Sequence, residues 1–231
     1  MKFEYCIDSL EGALAAKKYG ADRVELCSAL QIGGLTPSYG LIQSCTQVGI
    51  EVHAMIRPIE GDFVYSTAEI VMMEQDITIA HQAGAKGVVF GCLNNHNMPH
   101  LTHNERLLKT AKNLGLTVTF HRAFDLVAQA HQALAQLIDL GFDRLLTSGQ
   151  QAKAIQGIDL IQNLVQQAKG SIEIMVGSGV NASNAKQLAA IGVDALHFSI
   201  HQTHNATGNL GMGIRSSIDE MKIAALMRLF E

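Results

Sequence analysis

Two short segments near the start of the chain carry the same pair of reactive side chains. Glu4-Tyr5-Cys6 places a carboxylate two residues before a thiol, and Glu25-Leu26-Cys27 repeats the spacing. In an extended chain, residues two apart point to the same side. Each segment therefore presents its Glu and Cys on one face, and if the segments lie side by side, two thiols and two carboxylates share a patch. A pair of close thiolates is a soft site suited to Cu(I) or Zn(II). The plainer role of a buried cysteine is that of a small hydrophobe, and the spacing of Cys6 and Cys27 is not that of a zinc motif, so both readings stand. The glutamates are harder to set aside, because a carboxylate in an apolar interior needs a partner. Arg57 and Arg122 are the candidate partners.

A second group of residues follows apolar runs elsewhere. His121 and Arg122 come directly after Thr117-Val118-Thr119-Phe120. A histidine there can serve as general base or metal ligand, and Glu25, His121 and Arg122 together form the candidate catalytic set. Arg57, Ser148 and the turn Gly177-Ser178-Gly179 form a candidate anion site. The glycines let backbone approach a ligand, and the helix expected to open after the turn would offer its N-terminus to an anion. His96, His100 and His103 lie with Met98 between residues 94 and 103. That surface loop would hold metal only adventitiously.

These residues must be positioned by something, and the glycines show what. Gly20, Gly49, Gly84, Gly115, Gly141, Gly170 and Gly192 each follow a helical pattern and precede an apolar run by two or three residues. Each fits the residue that closes a helix in the left-handed conformation, with a very short link to the next strand. The seven recur roughly every 29 residues, about one strand-helix unit. With an opening strand at Phe3 to Ile7 they give eight strands. Helical periodicity fills the gaps at Leu10–Tyr19, Ala68–Gln82, Glu105–Asn113, Ala130–Leu140, Ile155–Ala168 and Asn184–Ala190, and a last helix is expected from Ser217 to Phe230. Strictly alternating strands and helices predict a parallel sheet, and eight units predict one (β/α)8 TIM barrel over residues 1–231. In such barrels the site lies at the C-terminal ends of the strands, where the residues named above fall.

Composition bounds the function. The chain has 231 residues, 48% hydrophobic, and no tryptophan, so a large core of aliphatic residues is available. A net charge of −4 and the lack of a basic cluster argue against nucleic acid and anionic membrane surfaces. The charged opening Met1 to Cys6 does not read as a signal peptide, and no apolar run reaches membrane-spanning length. The four cysteines, Cys6, Cys27, Cys45 and Cys92, are expected as free thiols in a reducing cytoplasm.

The chain resembles the CutC copper homeostasis proteins up to about residue 200. The resemblance is carried by Gly20 to Leu30, Gly33-Gly34-Leu35-Thr36-Pro37-Ser38, Met55-Ile56-Arg57-Pro58 with Gly61 to Ser66, Thr119 to Asp125, Leu146 to Gly149, and Gly177 to Val180. It implies a barrel, a cytoplasmic location, Cu(I) ligation by Cys6 and Cys27, and assembly as a homodimer or homotetramer. The chain departs from the family pattern at Ile59 and Glu60, where an Arg and a Gly are usual. It departs also at Val176, at residues 94–103 and after His197. Two readings follow: a protein that binds or buffers copper, or a barrel enzyme acting on a small anionic or phosphorylated metabolite.

Overall fold

The computed structural model describes residues 1–203 and 216–231. Eight parallel strands close on themselves: β1 (Lys2–Ile7), β2 (Arg23–Leu26), β3 (Glu51–Met55), β4 (Gly87–Phe90), β5 (Thr117–Phe120), β6 (Arg144–Thr147), β7 (Glu173–Val176) and β8 (Ala195–Ser199). Helices α1 (Leu10–Lys18), α2 (Tyr39–Gln47), α3 (Thr67–Gln82), α4 (Leu101–Asn113), α5 (Ala130–Leu140), α6 (Ile158–Ala168) and α7 (Ala185–Ala190) follow the first seven strands. The fold is the expected (β/α)8 TIM barrel.

The seven closing glycines all have φ between 72° and 97°, the left-handed region that a side chain would strain. Helix starts are set by side-chain caps. Ser9 and Ser38 accept from backbone N–H groups at the heads of α1 and α2, and Ser66 with Glu69 closes a capping box on α3.

One element differs from expectation. The chain does not run as helix from Ser217. Strand β9 (His201–Thr203) pairs antiparallel with β10 (Ser216–Ile218), and α8 (Glu220–Met227) begins only after Asp219. Ser216 to Ile218 takes the ladder instead, and the Asp219 carboxylate accepts from Lys222 N at 2.9 Å to start the helix.

Alternation along the strands separates two environments. Outward residues such as Val24, Val52, Val88, Val118 and Leu145 pack with Ile70, Met73, Ile77 and Leu107 of the helices in one continuous shell. Each such side chain contributes about 1.5–3 kcal/mol, so the shell carries most of the stability. The inward apolar groups are small by comparison: Cys27, Met55 and Val89, and Leu146, Met175 and Ala195. The remaining interior is polar. Register sets Glu4 opposite Arg23 on β2 and opposite His197 on β8, and Cys6 opposite Glu25. Arg23 Nε donates to Glu4 Oε2 at 2.6 Å, and its NH2 donates to Glu173.

Candidate functional site

The two Glu-x-Cys segments do meet. Cys6 Sγ, Cys27 Sγ and a Glu25 oxygen all lie within 4.8 Å of one another, and ligand atoms of Glu4, Glu25 and His197 form a second such group. Glu25 Oε1 is 3.8 Å from Cys6 Sγ and 3.5 Å from Cys27 Sγ. His197 Nδ1 is 2.8 Å from Glu4 Oε1, and its Nε2 is 4.0 Å from Glu25 Oε1.

Proximity sorts the protons. A hydrogen bond from the Cys27 thiol, with the hydrogen bond and charge of His197, outweighs burial and brings Cys6 down to about 5. Cys27, as donor and fully buried beside Glu25, is pushed well above the usual thiol range. Burial, with the charges of Cys6 and Glu4 opposed by His197, raises Glu25 to about 8. Burial lowers His197, but the charge of Glu25 and hydrogen bonds to Cys6 and Glu4 raise it well above the usual imidazole range. Burial also raises Glu4, yet His197, Arg23 and His53 hold its carboxyl well below the usual range. At neutral pH the cluster therefore holds a Cys6 thiolate against a His197 imidazolium, with Cys27 protonated and Glu25 pushed toward its protonated form.

The two thiols differ in access. Gly34, at φ 88°, lies against Cys27, and a Cβ there would stand 2.9 Å from the sulfur. Only glycine lets the loop after β2 seal that thiol. Cys6 is partly exposed and faces a cavity of about 330 Å³ at the C-terminal ends of the strands.

The far side of this cavity is built by β5 and β6. His121 is 4% exposed. Its Nδ1 accepts from Ala123 N at 3.3 Å, and its Nε2 has no hydrogen-bond partner among the described residues. Burial and the nearby Arg57 charge hold the imidazole down at about 3, so the ring is neutral. Asp125, not singled out from the sequence, is the hub of this wall. It accepts from Thr147 Oγ1 at 2.6 Å, from the backbone N–H of Ser148 and Gln150, and from Arg122 Nε at 2.8 Å. Arg122 NH2 donates to Ser148 Oγ at 2.9 Å.

Several expected contacts are replaced by others. Neither arginine pairs with a barrel glutamate. Arg57 donates through NH1 to the carbonyls of Ile32 and Gly34 and through NH2 to that of Gly61, stitching the loops after β2 and β3 together. Arg122 is held by Asp125, and Glu4 takes Arg23 and His197 instead. The Gly177-Ser178-Gly179 turn does not open onto a helix, since α7 begins at Ala185. Ser178 donates its hydroxyl to Ala152 O at 2.7 Å, and the Asn181 and Ser183 amides donate to the side chains of Asn184 and Asn181. Gly177 instead makes room: its Cβ would stand 2.8 Å from Leu146 Cδ1 and 3.0 Å from His197 Cδ2. Neither the turn nor Ser148 lines the cavity, whereas Arg57 does.

Sequence alone does not single out His197 as a site residue, although alternation along β8 places it inward with Ala195. Of the loop histidines, His100 accepts through Nδ1 from His103 N at 3.3 Å, and the rings of these two stack at 3.6 Å. They join no three-residue group of metal-ligating side chains among the described residues. No helix among those residues is long and apolar enough to cross a membrane.

Comparison with known proteins agrees with this geometry. The CutC family model matches residues 1–202. A CutC family protein of Histophilus somni is 45% identical with all of both chains covered. One of Glaesserella parasuis is 50% identical over 86% of this chain and 82% of its own. The crystal structure of a Streptococcus agalactiae protein described as copper homeostasis protein CutC superposes with a TM-score of 0.80 at 38% identity, covering 86% of this chain and 98% of that one. Deoxyribose phosphate aldolase of Aeropyrum pernix, at 14% identity, TM-score 0.65, and 99% and 89% coverage, shares the fold alone. The matched span contains the thiol cluster, its histidine partner and the cavity wall, and the chain belongs to the CutC family.

Proposed function

We propose that the protein serves copper homeostasis in the cytoplasm and that Cys6 and Cys27 hold Cu(I) at the barrel mouth. The observation that carries this reading is the meeting of both sulfurs with the Glu25 carboxyl within 4.8 Å. Thiolates are soft ligands that suit Cu(I). Cys6 is ionised at neutral pH and faces the cavity, so it is the entry ligand. Cys27 must lose its proton to become the second. Exchanging that proton for a monovalent cation leaves the buried charge unchanged. A divalent ion adds one more positive charge, balanced only if Glu25 also ionises, which its burial opposes. The charge balance therefore favours Cu(I) over Zn(II). The described copper role of the Streptococcus agalactiae relative supports the reading, as does the finding that all four cysteines are free.

Anaerobic titration with Cu(I) against a competing chelator tests it, using the native chain and Cys6→Ser/Cys27→Ser. The expected result is one tightly held equivalent that disappears in the double variant. Binding that survives both substitutions, or no binding by the native protein, overturns the reading.

A further inference from the structure

Among the described residues, the side of the mouth away from the thiols holds donors without acceptors. His121 Nδ1 accepts from Ala123 N, so the proton of the neutral ring sits on Nε2, and that N–H is unpartnered. Arg57 uses NH1 and NH2 on backbone carbonyls, and its Nε is unpartnered as well. Both side chains are at least nine-tenths buried, and both line the same cavity. Arg122 lines it too. Its Nε is engaged by Asp125 and its NH2 by Ser148, its NH1 is in no hydrogen bond of the wall, and the side chain is 43% exposed. Asp125, which also lines the cavity, accepts from the amides of Ser148 and Gln150, the Thr147 hydroxyl and Arg122 Nε, and on this side the Arg57 and Arg122 guanidiniums set two positive charges against that one carboxylate.

The rest of the wall sets the size and body of the missing partner. Phe63 sits between the two donors, with its ring 4.8 Å from the Arg57 guanidinium and 4.7 Å, edge-on, from His121. Its φ of 65° is a conformation that a bulky residue keeps only when its surroundings enforce it. Leu30, Ile32 and Leu126 supply apolar surface. A cavity of about 330 Å³ stands at the small end of the range for ligand sites. Glu25, whose Oε2 is unpartnered, faces the same space from the β2 side. Buried donors lacking acceptors, next to a guanidinium, match the oxygens of an anion.

We propose that this cavity is a binding site for a small organic anion, a carboxylate or phosphate ester of a few carbon atoms, whose oxygens accept from His121 Nε2 and the Arg122 guanidinium. Its carbon body packs under Phe63 against Leu30, Ile32 and Leu126. The site shares its cavity with Cys6 but draws its donors from the opposite wall, and it does not depend on the copper reading.

Isothermal titration tests the proposal with inorganic phosphate, glycerol phosphate and propionate as separate probes. The proteins are the native chain, Arg122→Ala, His121→Phe and Cys6→Ser/Cys27→Ser, each checked by its thermal unfolding curve. Saturable one-to-one binding is expected. Restriction to the phosphate probes assigns a phosphate ligand, and restriction to propionate assigns a carboxylate. Arg122→Ala should weaken that binding about tenfold or more, while the double cysteine variant keeps it. No saturable binding of any probe at millimolar concentration overturns the proposal, and so does binding that neither Arg122→Ala nor His121→Phe weakens. Arg122 is part-exposed, so its truncation leaves the barrel folded and the reading interpretable even if His121→Phe fails to fold.

Discussion

His121 and His197 occupy comparable places on two arcs of one barrel. Each is buried, each faces the mouth cavity, and each stands beside a glycine whose absent Cβ makes room for it. A Cβ on Gly91 would lie 2.8 Å from His121 Nδ1, and one on Gly177 would lie 3.0 Å from His197 Cδ2. Their protonation is opposite. Burial drives both rings toward neutrality. Around His197 that drive is overcome by Glu25, Cys6 and Glu4, while around His121 the nearby charge is Arg57 and burial prevails. The position in the fold sets burial, and the neighbours set the proton. A single mouth thus holds a soft arc with a charged imidazole on β1, β2 and β8 and, on β5 and β6, an arc whose imidazole is neutral beside the Arg122–Asp125 ion pair.

The largest effect expected from breaking this contrast is that of His197→Phe. It removes a hydrogen-bonded cation from the fully buried Glu4 and from the Cys6 thiolate. Stability in urea should fall by about 3 kcal/mol, and alkylation of Cys6 at pH 6 should slow as its thiolate is lost. A midpoint equal to that of the native protein would mean that Arg23 alone balances Glu4. Smaller losses, about 1–3 kcal/mol each, are expected for Gly91→Ala and Gly177→Ala, from crowding of the rings. Native stability in either variant would show that the neighbouring ring gives way freely.

The smallest effect sharpens the contrast through pH. His121 has a folded pKa of about 3 against an ordinary value of 6.5, so the unfolded chain binds the extra proton first. The stability that neutral His121 confers is complete above pH 6.5 and is lost as pH falls from there toward 3. His197 runs the other way. Its pKa is raised, so its contribution is complete below 6.5 and fades as pH climbs through the elevated value. His121→Phe should flatten the acid limb of the urea stability curve and leave stability at pH 7 within about 1 kcal/mol of native. An acid limb as steep as before would assign the acid sensitivity to other groups.

What could be read from the sequence was local. Seven glycines marked seven helix ends, because the left-handed conformation is a property of one residue. Alternation within β1 and β2 put Cys6, Glu25 and Cys27 together, because neighbouring strands in a barrel pair directly. What escaped depended on distant closure or on competition for donors. His197 reaches Glu4 only because β8 pairs with β1. The donors of Arg57 are taken by carbonyls of loops whose paths no spacing predicts, and Asp125 gathers groups from β6 and the loop after it. The sequence also suggests a last helix from Ser217, but strand pairing with β9 has the stronger claim on that backbone.

Closure has a consequence for the chain as it is made. Glu4 and His197 are 193 residues apart in sequence, and synthesis proceeds from the N-terminus. Cys6 leaves the ribosome long before the imidazole that will face it exists. Until β8 has emerged and seated against β1, Cys6 lacks that counter-charge and stays closer to an ordinary thiol. Its full reactivity is thus acquired when β8 is seated against β1, and a copy that ends before β8 would carry the sulfur without its imidazolium partner.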